Sequence, residues 1–451
     1  MQFPKNFTWG AATAAYQVEG GAREGGRGPS VWDTFSHQPN ATWQGHHGDV
    51  TCDHFHRWRE DIRLMKDLGL KGYRFSLSWS RVIPEGTGRV NAKGLAFYDR
   101  LVDALLEAGI TPFITLYHWD LPHALHTRGG WLNRESVEWF AAYTTVVAAR
   151  LGDRVQYWIT QNEPQCFVGL GYHTGAHAPG LKLAWPEVLR VGHHALMAHG
   201  RAVQALRAVG GKKFNIGYAA VGVSRYPATE SARDIKAARE SMFTAASQST
   251  WNNAWWTDPM LLGSYPADGW KFNEEHMGFV QDGDMKLIST PIDFMGLNIY
   301  SGSKIRAGRN GKPQEVPLPE GHPQTFFQWF ITPEVMEWTV RFFHERYGKP
   351  IYITENGMSG LDWVAVDGKI HDPQRIDYTT RYLQALGRAI QHGVDVRGYF
   401  HWSLMDNLEW AEGYKQRFGL IHVDMATGRR TPKDSAAWYT SVIASNGACL
   451  P

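Results

Sequence analysis

The chain has 451 residues, with 46 lysines and arginines against 44 aspartates and glutamates, and 43% of its residues are hydrophobic. That balance excludes a nucleic-acid or membrane-surface partner held by bulk charge, and no apolar run is long enough to span a bilayer. Three cysteines, Cys52, Cys166 and Cys449, are too few and too scattered for a disulfide framework, and the first residues lack a basic stretch followed by an apolar core, so a reducing, cytoplasmic setting is expected.

In chain order, short apolar runs alternate with helical patterns. Residues 7–12 read as a first strand. A helix over 53–68 closes at Gly69, and residues 72–78 (GYRFSLS) follow as a strand. A helix over 92–108 closes at Gly109 and leads to a strand at 112–117; a helix over 135–151 closes at Gly152 and leads to a strand at 155–160. Further strand-like runs lie at 215–220, 292–297, 350–354 and 396–402. Strands alternating with helices imply parallel βα units. Eight of them suit a closed barrel, and no GxGxxG turn follows the first strand to support a dinucleotide fold. The expectation is an α/β fold: residues 1–451 as one (β/α)8 barrel domain with elaborated βα loops at the catalytic mouth. The long polar, Gly- and Pro-containing stretch 301–325 belongs to those loops.

Two glutamates close strand-like runs. Glu163 sits in Thr160-Gln161-Asn162-Glu163-Pro164 and Glu355 in Ile351-Tyr352-Ile353-Thr354-Glu355-Asn356-Gly357. In a barrel both would face one mouth, and two facing carboxylates are what glycoside hydrolysis requires. A single glutamate after a strand is more often a surface ion-pair partner; two at matching strand ends weaken that reading. The 20 tryptophans are mostly core, yet an indole face also suits the C–H face of a sugar ring. His46, His47, Asp49, Cys52, Asp53, His54 and His56 crowd one stretch, but their spacing fits no zinc signature, so they read as structural or surface groups.

Ordered motifs along nearly the whole chain carry a resemblance. They run from Phe7-Thr8-Trp9-Gly10-Ala11-Ala12-Thr13-Ala14-Ala15-Tyr16-Gln17-Val18-Glu19-Gly20 through Tyr73-Arg74-Phe75-Ser76 and His118-Trp119-Asp120-Leu121-Pro122. The two glutamate motifs, Asn298-Ile299-Tyr300, Trp402-Ser403-Leu404-Met405-Asp406-Asn407-Leu408-Glu409-Trp410 and Arg417-Phe418-Gly419-Leu420 complete the set. Together they resemble glycoside hydrolase family 1, the β-glucosidase family. The resemblance implies Glu163 as acid/base and Glu355 as nucleophile, with Arg74, Tyr300 and Asn298 in the catalytic set. It implies sugar contacts from Gln17, His118, Trp119, Asn162, Glu409 and Trp410, a ring platform in Trp402, a leaving-group contact from Trp329, and a further substrate contact from Phe418. No metal or cofactor is implied. The expected substrates are small β-glucosides or cello-oligosaccharides with an unphosphorylated sugar, because a carboxylate at Glu409 repels a 6-phosphate. Gln161, where the family is usually apolar, and Leu408, where it is usually aromatic, depart from the pattern. A transglycosidase shares all this machinery. A non-catalytic sugar-binding barrel and a metal-dependent barrel hydrolase are the remaining alternatives.

Overall fold

The computed structural model describes residues 3–451. Eight parallel strands form its centre: β1 (Thr8–Ala12), β2 (Gly72–Ser76), β3 (Thr111–Tyr117), β4 (Tyr157–Asn162), β5 (Asn215–Ala220), β6 (Phe294–Asn298), β7 (Ile351–Asn356) and β8 (Val396–Trp402). Each strand pairs with its neighbours in sequence, and β8 returns to β1, so the sheet closes. Helices between the strands form the outer ring, and this is the (β/α)8 barrel expected from the alternation of runs. No helix is long and apolar enough to cross a membrane among the described residues.

Both faces of such a sheet are covered, so its strands are almost entirely buried and mostly apolar. At the floor of the barrel the inward side chains are aromatic. Phe113 stacks on Tyr157 with centroids 4.2 Å apart and meets Phe400 edge-on at 4.8 Å, and Phe294 meets Tyr352 at 5.0 Å. Rings this large need small neighbours: a Cβ added to Gly217 would come within 2.2 Å of the Phe294 ring. The floor is therefore solid, and only the C-terminal strand ends are open to ligands. One buried hydrophobic cluster joins Phe3 to Leu450.

Two of the helix-closing glycines behave as expected, with φ of +73° at Gly69 and +75° at Gly109. Gly152 does not. Its φ is −72°, and it is small because a Cβ there would lie 2.5 Å from both the Ala148 carbonyl and the Phe214 ring. Several boundaries also shift: the strand expected at 72–78 ends at Ser76, and those expected at 7–12 and 112–117 begin at Thr8 and Thr111. The strand expected at 155–160 spans Tyr157–Asn162, the one expected at 350–354 spans Ile351–Asn356, and the one at 292–297 spans Phe294–Asn298. The stretch 301–325 is not a plain loop: Ser303–Ala307 pairs with Pro313–Val316 on one side and Arg225–Pro227 on the other, as a three-stranded sheet. Its chain then runs on to Phe327 and Trp329 at the mouth.

The crowded histidine stretch resolves mostly into structural pairs. His54 Nδ1 lies 2.7 Å from Asp61 Oδ2, and Arg430 Nε donates to Asp61 Oδ1 at 2.9 Å, all three buried. This pins helix His54–Asp67 to the hairpin of Ile421–Val423 and Arg430–Pro432. His56 pairs with Asp53 at 2.6 Å and Glu24 at 3.0 Å.

Candidate active site

The strand ends that carry the two glutamates are irregular. The β4–β5 register shifts between Ile159 and Asn162, and the β7–β6 register shifts between Ile353 and Glu355. Such bulges re-aim the side chains that follow them. Past β4, Glu163 still donates its N–H to the Ala219 carbonyl at 2.9 Å, then turns through φ 45°, ψ 66° into a short helix begun by Pro164. Trp119 (φ 80°) and Trp410 (φ 51°) share this left-handed conformation. It costs about 1–3 kcal/mol at a non-glycine residue and clusters at functional sites.

The two glutamates border one cavity of about 320 Å³ at the C-terminal mouth. His118, Trp119, Asn162, Tyr300, Trp329, Trp402, Glu409, Trp410 and Phe418 border it too. Arg74, Asn298 and Gln17 lie one layer behind and hold the lining residues. All fourteen residues singled out in the sequence therefore meet at one place.

Arg74, 1% exposed, organises the centre. Its Nη1 donates to Glu355 Oε1 at 2.5 Å and to the Thr354 carbonyl at 3.1 Å, its Nη2 to Asn162 Oδ1 at 2.6 Å, and its Nε to Thr115 Oγ1 at 3.2 Å. Tyr300 donates its hydroxyl to the other Glu355 oxygen at 2.7 Å. Burial and the Glu355 charge keep that phenol well above its usual pKa, so it remains a donor. Asn298 completes the bridge to the second glutamate. Thr354 Oγ1 donates to Asn298 Oδ1 at 2.6 Å, which turns Asn298 Nδ2 towards Glu163 Oε1 at 2.6 Å and Asn162 Oδ1 at 3.0 Å.

The two glutamates consequently differ in charge environment. Glu355 receives a guanidinium and a phenol. Glu163 receives only neutral donors, the Asn298 amide and the Cys166 thiol, and burial together with the charge on Glu355 pushes its carboxyl well up from 4.5. That asymmetry separates a nucleophile from an acid.

The remaining polar groups face the cavity with unused capacity. Asn162 Oδ1 is taken by Arg74 and Asn298, so Asn162 Nδ2 donates to His118 Nε2 at 2.9 Å. The proton of neutral His118 then sits on Nδ1, which is buried and has no protein partner. Burial and Arg74 hold His118 well below its ordinary pKa, so it stays neutral. Gln17 Nε2 donates to the Leu408 carbonyl at 2.8 Å and Asn407 Oδ1 at 3.1 Å and reaches Glu409 Oε2 at 3.4 Å, while its Oε1 has no partner. Glu409 is pushed up to about 8 by burial, Glu355 and Glu163. Trp119 stacks on Trp410 at 4.6 Å. Phe327, Trp329 and Phe418 form an apolar group at the outer end, with centroids 4.4–6.1 Å apart.

Sequence reasoning did not single out several contributors. Tyr378 and Tyr382 both donate to the Tyr300 carbonyl, at 3.0 and 2.7 Å, and Asn356 Nδ2 donates to the Ile299 carbonyl at 2.7 Å. Together they set the chain that presents Tyr300. Leu170, His177 and Glu412 also line the cavity, as does Trp251, which the sequence places in the barrel shell or mouth. Cys166 lines it beside Glu163. Gln161 finds the partner its sequence context does not reveal, the Ala195 carbonyl at 3.0 Å. Among the described residues, the one group of His, Cys and acidic side chains whose donor atoms converge as metal ligands do is His37, His47 and Asp49, outside this cavity.

A closed barrel with two buried carboxyls at one mouth, one ion-paired and one pushed towards its protonated form, has the apparatus of a glycoside-cleaving enzyme. The whole chain places it further. Residues 1–448 match the model of glycosyl hydrolase family 1, and the chain belongs to that family. It is 45% identical to beta-glucosidase A of Thermotoga maritima, over 99% of this chain and 98% of that protein. It is 44% identical to a bifunctional beta-D-glucosidase/beta-D-fucosidase of Bifidobacterium breve, over 99% of each. The structure of the T. maritima beta-glucosidase in complex with castanospermine superposes with a TM-score of 0.90, covering 99% of both chains.

Proposed function

We propose that this family-1 chain is a retaining β-glucosidase in which Glu355 attacks the anomeric carbon and Glu163 protonates the departing oxygen. The observation that carries the reading is the split between the two carboxyls. Arg74 and Tyr300 stabilise charge on Glu355, and that charge helps keep the Glu163 proton in place. When Glu355 becomes an ester of the sugar, its charge disappears. The Glu163 pKa then falls, and the same group accepts a proton from the incoming water. Asn162 and His118 present donors to the sugar hydroxyls, Trp402 lies under the ring, and the apolar group of Phe327, Trp329 and Phe418 receives the aglycone.

The substrates are small β-glucosides and cello-oligosaccharides with terminal, non-reducing β-D-glucose; the B. breve relative supports tolerance of β-fucosides. An unphosphorylated sugar fits best. Glu163, Glu355 and Glu409 bring three carboxyls to the pocket, and Arg74, the cation behind them, is engaged by Glu355. No lysine or arginine among the described residues lines the cavity, so a 6-phosphate finds no free cation there. The unbroken hydrophobic cluster supports reading residues 1–451 as one catalytic domain, and three free thiols suit a reducing, cytoplasmic setting.

Initial rates on nitrophenyl β-glucoside, β-galactoside, β-fucoside, β-mannoside and β-glucoside 6-phosphate test the assignment, with NMR of the first-formed anomer. Rapid release from the glucoside with β-glucose as first product, and none from the phosphate, is expected. Release of α-glucose first, or no release from any substrate, overturns it.

A further inference from the structure

We propose that His37, His47 and Asp49 form a binding site for a divalent transition-metal ion of the zinc class, outside the sugar pocket. His37 follows helix Val31–Ser36, while His47 and Asp49 lie ten and twelve positions further on, so neither ligand spacing nor a motif reveals the cluster; the fold assembles it. One donor atom from each of the three lies within 4.8 Å of the others.

The separations favour a shared ion over hydrogen bonds. His37 Nε2 lies 3.3 Å from Asp49 Oδ2, and His47 Nδ1 lies 3.4 Å from Asp49 Oδ1. Both are long for charge-assisted hydrogen bonds, which run at about 2.7–2.9 Å. Each matches the roughly 3.3–3.4 Å separation of two ligands about 2.0–2.1 Å from a tetrahedral zinc, with the two histidines facing different oxygens of Asp49. The ring tautomers also suit ligation. His37 Nδ1 donates to the Asp33 carbonyl at 2.7 Å, which leaves the Nε2 lone pair free and fixes the ring, as outer partners of metal-bound histidines do. His47 Nδ1 is buried with no hydrogen-bond partner, although its side chain is 42% exposed overall. The two rings stack at 4.6 Å and 23° beside Asp49, so a shared ion requires one ring to turn out of the stack. Two imidazoles and one carboxylate select zinc, copper or nickel over magnesium and calcium, and side chains 31–42% exposed leave a fourth position open to water.

Occupancy would brace the wall behind the sugar site. Tyr16 OH lies 3.0 Å from Ser36 Oγ and accepts from Gly48 N at 3.2 Å, and these residues adjoin His37 and His47. The Tyr16 ring lies parallel to Trp410 at 6.3 Å. A bound ion ties together the two segments that hold Tyr16.

The test is calorimetric titration of the apo chain with Zn²⁺, and with Co²⁺ read by its visible absorption. Parent, His37→Ala, His47→Ala and the double variant are compared, with activity on an aryl glucoside and circular dichroism as folding checks. The expected result is saturable Zn²⁺ binding, tetrahedral Co²⁺ bands, no response to Mg²⁺, and at least about tenfold weaker binding in each single variant. Zinc should raise the melting temperature of the parent and leave that of the double variant unchanged. No saturable binding by the parent, or binding that survives unchanged in a folded double variant, overturns the site.

Discussion

Asn298→Ala probes the bridge between the two glutamates through the titration of Glu163. Asn298 Nδ2 donates to Glu163 Oε1 at 2.6 Å, and Thr354 fixes the amide in that sense from its other side. A donor favours the ionised carboxylate, so this bond opposes the upward pull of burial and Glu355. A hydrogen bond to a charged group contributes about 1.5–3 kcal/mol, and about 1.4 kcal/mol corresponds to one pKa unit. Its loss therefore raises the Glu163 pKa by roughly 1–2 units; water entering the vacated space restores part of the bond, so about one unit is expected. The alkaline limb of the kcat/KM profile for phenyl β-glucoside, a substrate that needs protonation of its leaving group, reports the acid in the free enzyme. That limb moves to higher pH in the variant while the acid limb stays in place. An unmoved alkaline limb, or one displaced to lower pH, refutes either the donor role of Asn298 or the identity of the acid.

Glu355→Gln removes nearly all turnover with the fold intact by circular dichroism, and turnover at the parent rate contradicts its role as nucleophile. Glu163→Ala slows phenyl β-glucoside far more than dinitrophenyl β-glucoside, because only the poorer leaving group needs a proton; equal losses on both substrates count against an acid role. Asp61→Asn strands the Arg430 guanidinium beside His54 and costs about 3–5 kcal/mol, read as a lower melting temperature. Burial pulls the Asp61 carboxyl up, but His54 and Arg430 outweigh it and hold it below 3.8. Its contribution is therefore complete above the ordinary carboxylate range and lost as pH falls through the depressed value, so the gap between parent and variant narrows only in strong acid.

The barrel was legible because most strands are largely apolar runs, and helices before β2 and β3 close at the turn-forming glycines Gly69 and Gly109. Its strand ends were less so. In β4, Gln161 and Asn162 look like the start of a loop, yet the ladder continues through them because their side chains find partners inside: Gln161 with Ala195 and Asn162 with Arg74. A polar residue in a strand is invisible as such until its partner is known. The same holds for Ser303–Ala307 and Pro313–Val316, which pair away from the barrel and carry no hydrophobic alternation. At the site, motif spacing placed both glutamates, but Thr115, Thr354, Tyr378 and Tyr382 contribute through register and helix packing, which spacing does not encode. His37 is missing from the crowded histidine stretch for the same reason.

The pocket also carries a cost that can be measured. Glu163 and Glu409 are both raised above their ordinary range, chiefly by burial and then by neighbouring carboxyls. An acid with a raised folded pKa keeps its proton in the native state after the unfolded chain has lost it. Between the two pKa values the native state binds more protons, so stability declines as pH rises, by about 1.4 kcal/mol per unit for one such group, and levels off above the folded value. Glu163→Gln removes that penalty while its amide oxygen can still accept from Asn298. The variant should therefore melt above the parent at neutral pH, with an advantage that shrinks towards the ordinary glutamate pKa of 4.5. Thermal unfolding across that interval, without substrate, gives the slope directly. An advantage that is flat with pH would assign any stabilisation to packing, and one that grows in acid would mean that the Glu163 carboxyl is held ionised, which removes the ground for its role as the acid.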